Sequence, residues 1–317
     1  MRRVRGVALA AALVLSTPVW GAAPAGGWIQ GRVIDRTRPQ HPVAHQRVRL
    51  TMIERGASSE QEAVTDASGV VRFTRLPVGG IRVFVLSTDY RSVRYTSDRI
   101  VLADTAPARP VDLAVYEPSP DRSKVRAPVA FAVVDIARRT IRVSVIQRFE
   151  NPTDRAMVGS PETPWVFPLP PGAGSVSYLA GWQDPQTGRG RITDVLTLLP
   201  GTAQVAYSYQ LEARESRLVL PWSLPYGAGD VEVLVADAGV GVAAEGLRAQ
   251  GMVAGPQGGR YQRWSGGPVA PGGEVVLRLR GVPVGGKAWP GVVAAGLGLI
   301  LGVGLAAALR RSKRPAV

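Results

Sequence analysis

Cysteine is absent from this chain, histidine occurs twice, and asparagine only at Asn151. Without cysteine there are no disulfides, thiolate metal sites, thiol redox centres or thioether-attached haem, so stability rests on packing. With only His41 and His45 available, and no His-Glu-x-x-His motif, the familiar zinc hydrolase and histidine-based triad routes have no residues to use. Aromatic residues make up only 6% of the chain, whereas Gly (37) and Pro (26) are abundant, a balance that suits short strands joined by tight turns. The expected class is all-β.

Long apolar runs occur only at the two ends. Arg2, Arg3 and Arg5 precede an apolar stretch from Gly6 to Val14, and Ala23-Pro24-Ala25 offers small residues for cleavage, so residues 1–25 read as a secretory signal peptide. A 22-residue apolar run, Ala288 to Leu309, is followed at once by Arg310, Arg311, Lys313 and Arg314. At about 1.5 Å per residue a helix of that length crosses a hydrocarbon core of roughly 30 Å, and its basic flank prefers the cytoplasm. Residues 288–309 are thus expected to span the membrane once and residues 310–317 to form a basic cytoplasmic tail. Everything before the span then lies outside the cytoplasm, periplasmic or at the cell surface, whether or not the leader is cleaved.

The formal charge of +14 narrows on inspection. The leader and tail carry half of it, which leaves about +7 on the exported portion, and the scarcity of lysine (Lys124, Lys287, Lys313) reads as compositional bias towards arginine. A nucleic-acid partner is not expected outside the cytoplasm. An anionic partner such as lipid headgroups or wall polymers remains an alternative source of the bias.

Between the ends, roughly 260 residues suffice for two domains. In the first, residues 28–117, Val48, Leu50 and Met52 alternate with Arg47, Arg49 and Thr51, and Ile81, Val83 and Val85 alternate around Arg82 and Phe84. Asp66-Ala67-Ser68-Gly69 and Leu76-Pro77-Val78-Gly79-Gly80 supply the turns. A linker is expected at 118–124, where Pro118 and Pro120 stand among charged residues. The second domain, residues 125–283, alternates in Ile141/Val143/Val145, Val205/Tyr207/Tyr209, Val231/Val233/Val235 and Val275/Leu277/Leu279. Two consecutive β-sandwiches are the predicted architecture.

The segment TDASGVVRFTRLPVGGIRVFV, Thr65 to Val85, together with Gly31-Arg32-Val33, resembles carboxypeptidase regulatory-like domains. It departs from that pattern where an aromatic usually follows the last turn and Ile81 stands instead. The resemblance implies a transthyretin-like, seven-stranded sandwich serving adhesion, spacing or scaffolding, without peptidase activity. The order FENPT, VFPLPPGA, LLPGTAQVAYSYQL and a Val-rich strand ending near Gly246-Leu247 resembles membrane-anchored exported prokaryotic proteins, some of which accompany electron-transfer or cytochrome-maturation machinery. That implies an accessory role in an inner-membrane complex and a membrane or envelope protein as partner.

Chemistry-bearing residues are few. His41 and His45 are separated by Pro42 and read as exposed loop residues rather than metal ligands. Glu212 and Glu215 sit among Arg214 and Arg217 in what reads as a hairpin connection, as solvated charges rather than an acid/base pair. Asp66 reads as a turn former, since calcium needs several oxygen ligands. Trp165, Tyr178, Trp182, Tyr207, Tyr209, Trp222, Tyr226, Tyr261 and Trp264 concentrate in the second domain, and Trp182 and Trp222 are the candidate binding aromatics, placed in exposed loops. Ala294, Gly298, Gly302 and Ala306 recur every four residues in the apolar run and permit close helix approach, hence homodimerisation. No catalytic residue, cofactor or metal is assigned. The leading expectation is a non-enzymatic, membrane-tethered binding or scaffold protein; recognition of envelope glycans by the second-domain aromatics is the alternative.

Overall fold

A computed structural model describes residues 26–37, 41–255 and 259–284. The predicted signal peptide, membrane span, tail and small-residue face lie outside the described residues. Among those described the protein is all-β and β-sandwich-like, and no helix is long and apolar enough to cross a membrane.

The described residues form two compact units: 26–34, 41–90 and 94–114 make up the first, and 35–37, 91–93, 115–255 and 259–284 the second. The first contains strands β1 (Gly27–Asp35), β2 (His41–Pro42), β3 (Arg47–Glu54), β4 (Ala57–Val64), β5 (Val70–Leu76), β6 (Arg82–Tyr90), β7 (Val93–Thr96) and β8 (Ala108–Val115). One sheet has the order β2-β1-β5 with β8 also on β1; the other runs β4-β3-β6-β7. Val48 and Leu50 on β3, Phe73 on β5 and Ile29 and Val33 on β1 are buried, each stabilising by about 1.5–3 kcal/mol on transfer from water.

Strand β6 faces the opposite way from the parity expected of Ile81, Val83 and Val85. Phe84 is 1% exposed, Leu86 and Thr88 are buried beside it in parity, and Ile81 is 83% exposed. Both parities of this strand are apolar, so alternation alone does not choose between them. The aromatic ring goes inward because it removes more surface from water than a valine, and Val83 and Val85 stand outward opposite Ile53 and Thr51 of β3.

The second unit contains β9 (Pro118–Ser119), β10 (Arg126–Ala137), β11 (Thr140–Asn151), β12 (Ala156–Val158), β13 (Trp165–Pro168), β14 (Gly174–Ala180), β15 (Gln186–Gly188) and β16 (Arg191–Asp194). It continues with β17 (Thr197–Leu198), β18 (Gly201–Glu212), β19 (Arg217–Leu224), β20 (Asp230–Ala236), β21 (Gly241–Ala244), β22 (Arg248–Ala254), β23 (Arg260–Gly266) and β24 (Gly273–Arg280). A seven-stranded sheet runs β14-β18-β11-β10-β20-β23-β22, and a three-stranded sheet runs β19-β24-β21. Within the large sheet β10 and β20 are parallel, Val129 lying opposite Asp230, while the other neighbouring strands pair antiparallel. Inward residues of β11, β18 and β20 join Leu220, Trp222 and Leu224 of β19 and Val275, Leu277 and Leu279 of β24 in one buried cluster. Two further small sheets, β17-β12-β9 and β13-β16-β15, complete the unit.

Residues 118–124 are not a free linker. Pro118 and Ser119 pair in parallel with Ala156 and Met157. Arg122 donates to the carbonyls of Val158, Thr163 and Pro164 and lies 4.4 Å over the Trp165 ring. A guanidinium that satisfies backbone carbonyls while stacking on an indole fixes a segment whose composition alone reads as a spacer. The connection after β18 is likewise no hairpin: β18 belongs to the large sheet and β19 to the three-stranded one, so Ala213 to Ser216 carry the chain between sheets.

Candidate functional site

The second-unit aromatics form one connected block. Phe149 on β11 meets Trp165 (5.7 Å), Phe167 (6.3 Å) and Tyr226 (5.6 Å) edge-on. Phe167 then meets Trp182 (5.2 Å) and Tyr207 (6.1 Å), and Trp182 meets Tyr178 (5.5 Å). Tilted and edge-to-face pairs at these spacings suit the ring quadrupoles.

The two candidate binding tryptophans have different positions within this core. Trp222 lies on β19 rather than in a loop, is 6% exposed, and hydrogen-bonds the Tyr207 hydroxyl through its indole. Pro221 and Ser223 beside it suggest a loop, but β19 is an edge strand, where proline is tolerated. Trp182 is half-buried and its Nε1 donates to the Ala206 carbonyl at 2.6 Å. Tyr178, 38% exposed, is the part of the block that reaches solvent, its hydroxyl 2.5 Å from Thr187 Oγ1.

Buried polar side chains hold the loops around the block. Asn151 donates to the carbonyls of Arg155 and Leu198 and accepts from Thr153, which builds the turn of FENPT. Asp194 is 2% exposed and accepts the Gln183 and Asp184 amides at 2.9 Å each, fixing the chain just after Trp182. Tyr226 accepts the Val166 amide, and Trp165 donates to the Leu196 carbonyl. Sequence reading singled out Asn151 only as part of a bend and passed over Arg122 and Asp194, because bonds from a side chain to a distant backbone leave no periodic trace.

Electrostatically the block is inert at neutral pH. Burial raises the hydroxyl pKa values of Tyr207 and Tyr209, in Tyr207 against the opposing effect of the Trp222 hydrogen bond. Burial also raises Tyr226, opposed by its bond from Val166 and by Arg122, and burial lowers Arg122. These phenols stay neutral and the guanidinium charged, so none is poised to exchange a proton near pH 7.

The remaining candidates stand apart. His41 and His45 are exposed, His41 on β2 and His45 in a turn at positive φ. Glu212 pairs with Arg139 at 3.5 Å, and Glu215 is exposed in the crossing between sheets. Asp66 accepts three bonds from Ser68 and Val70, which satisfies its carboxylate within the turn. Among the described residues no group of three or more His, Cys, Asp or Glu gathers as a metal would require.

No family model matches the chain, and no curated protein matches it. Among solved structures, it is similar to an M1 zinc metallopeptidase of Deinococcus radiodurans, a mutant bound to a tripeptide substrate, at 12% identity and a TM-score of 0.33. That match covers 50% of this chain and 43% of the peptidase, so the chain spans less than half of that enzyme's length.

Proposed function

We propose that the chain is a non-enzymatic binding or scaffold protein, tethered to a membrane by residues 288–309 with its β units outside the cytoplasm, acting as an accessory component of an inner-membrane complex. One observation carries the reading: five polar side chains around the aromatic block of the second unit are committed to holding backbone. Asn151, Asp194, Trp165, Tyr226 and Arg122 all bond to main-chain groups, which makes a rigid framework rather than a reactive pocket. In this reading each unit is a β-sandwich, the first of carboxypeptidase regulatory-like type and serving as spacer, and Ala294, Gly298, Gly302 and Ala306 are the face through which anchors associate.

Extraction of membranes with alkaline carbonate should leave the protein in the pellet, and protease added to intact spheroplasts should degrade both β units. Co-purification in mild detergent should then recover an integral-membrane partner. Recovery of intact units in the cytosolic fraction would overturn the reading. The glycan alternative now rests on Tyr178 beside Trp182, since Trp222 is buried; loss of oligosaccharide binding in Tyr178→Ala would favour it.

A further inference from the structure

Beyond tethering, one surface of the second unit sets two like charges face to face. Arg217 on β19 lies directly opposite Arg280 on β24. Both are exposed, and among the described residues neither is ion-paired. Directly opposed residues of an antiparallel pair have Cβ atoms about 5 Å apart, and like charges there are destabilising. On its other side Arg280 faces Gly241, which has no side chain to fill the row. Two residues back, by contrast, Arg278 is held at 2.6 Å by Glu245, so the sheet does pair arginine with carboxylate elsewhere.

The charges around the pair balance one another and leave its excess standing. Arg214 is exposed in the crossing beside Arg217, while Arg139 is paired with Glu212 and Arg260 with Asp237; Glu215, in the same crossing, is the exposed carboxylate nearest in sequence. The chain leaves the unit here. Val282 is buried and its amide donates to the Ser216 carbonyl at 3.0 Å, which pins the departing segment beside the two arginines. From Val282 to the apolar run at Ala288 an extended chain reaches roughly 20 Å at most, short enough to keep this end near the headgroup layer of any bilayer the run enters.

We propose that the Arg217–Arg280 pair is a docking site for anionic phospholipid headgroups, holding the three-stranded sheet against the membrane surface. The proposal rests on the tethering reading for its geometry. A phosphodiester between two guanidinium groups removes their mutual repulsion and accepts hydrogen bonds from both. The surface acts as a second, salt-sensitive attachment that fixes the orientation of the unit, where the apolar run alone leaves it free to pivot.

Because the chain has no cysteine, Val219→Cys, at a position 50% exposed on the outer face of β19, introduces a unique site for a fluorescent label. The full-length protein is reconstituted into nanodiscs of phosphatidylcholine, or of phosphatidylcholine with phosphatidylglycerol, carrying a headgroup-labelled acceptor lipid. Energy transfer should be higher with phosphatidylglycerol and fall with added salt. Arg217→Gln with Arg280→Gln should lower the ratio of docked to undocked protein by roughly tenfold, and paired Lys substitutions should retain most of it. Transfer that is equal in both lipids, or unchanged by the Gln pair, overturns the proposal, and retention of that protein in carbonate-washed membranes shows that tethering stands. If carbonate releases the protein, tethering fails, and co-flotation with phosphatidylglycerol vesicles decides the arginines: flotation lost in the Gln pair supports them, and no flotation of the wild type overturns them.

Discussion

Asp66 shows how much one exposed side chain can organise. Its Oδ1 accepts from the Ser68 amide, the Ser68 hydroxyl and the Val70 amide, and the hydroxyl bond and then the Val70 bond hold its carboxyl below the usual range. A depressed folded-state pKa gives stability that is present above the unfolded value of about 4 and disappears as pH falls through the folded one. Asp66→Asn should therefore lower the thermal midpoint at pH 7, with the gap to wild type closing as pH drops below about 4. Thermal unfolding followed by circular dichroism across that range checks it, and a gap independent of pH would count against the charge. Gly69, three residues on, sits at φ +75° where an added Cβ would stand 2.8 Å from the Val33 carbonyl, so the DASG motif is explained by turn geometry at both ends.

Elements differ in how plainly the sequence announces them. Strands β11, β18, β20 and β24 bury the residues their alternation indicates, because long strands with one face on the core impose a period of two. Strand β6 was legible as a strand but not in its facing, since Val83 and Phe84 are both apolar. Strands β9, β12, β15 and β17 span two or three residues each, too few for any period, and Arg122 in the supposed linker reveals its role only once Trp165 is beneath it. Of the candidate site, the concentration of aromatics in one domain was visible, whereas the burial of Trp222 depended on β19 being an edge strand that admits Pro221. The loop carrying Trp182 is held by Gly181, at φ +79°, where a Cβ would meet the Gln204 carbonyl oxygen at 1.9 Å. Gly181→Ala should cost about 3 kcal/mol or more, read as a lower urea midpoint, and should redshift tryptophan emission as Trp182 loses its bond to Ala206.

For the whole molecule, charge and chain order matter more than any single contact. The formal +14 is spread over ends and middle, so the local excess at Arg217 and Arg280 is significant for its placement beside the departing chain rather than for its size. The parallel pairing of β10 with β20 has a consequence in time. During synthesis β10 emerges with β11 close behind to cover one of its sides, but its other side has no mate until Asp230–Ala236 follows, about a hundred residues later. Throughout that interval a long apolar strand presents open amides and carbonyls to whatever is nearby. A version of the chain stopped after Leu224 should aggregate or bind a hydrophobic dye strongly, while the complete protein at the same concentration should not. The second unit thus keeps one strand border unfinished until the last third of the polypeptide has been made, and its folding closes late rather than in step with synthesis.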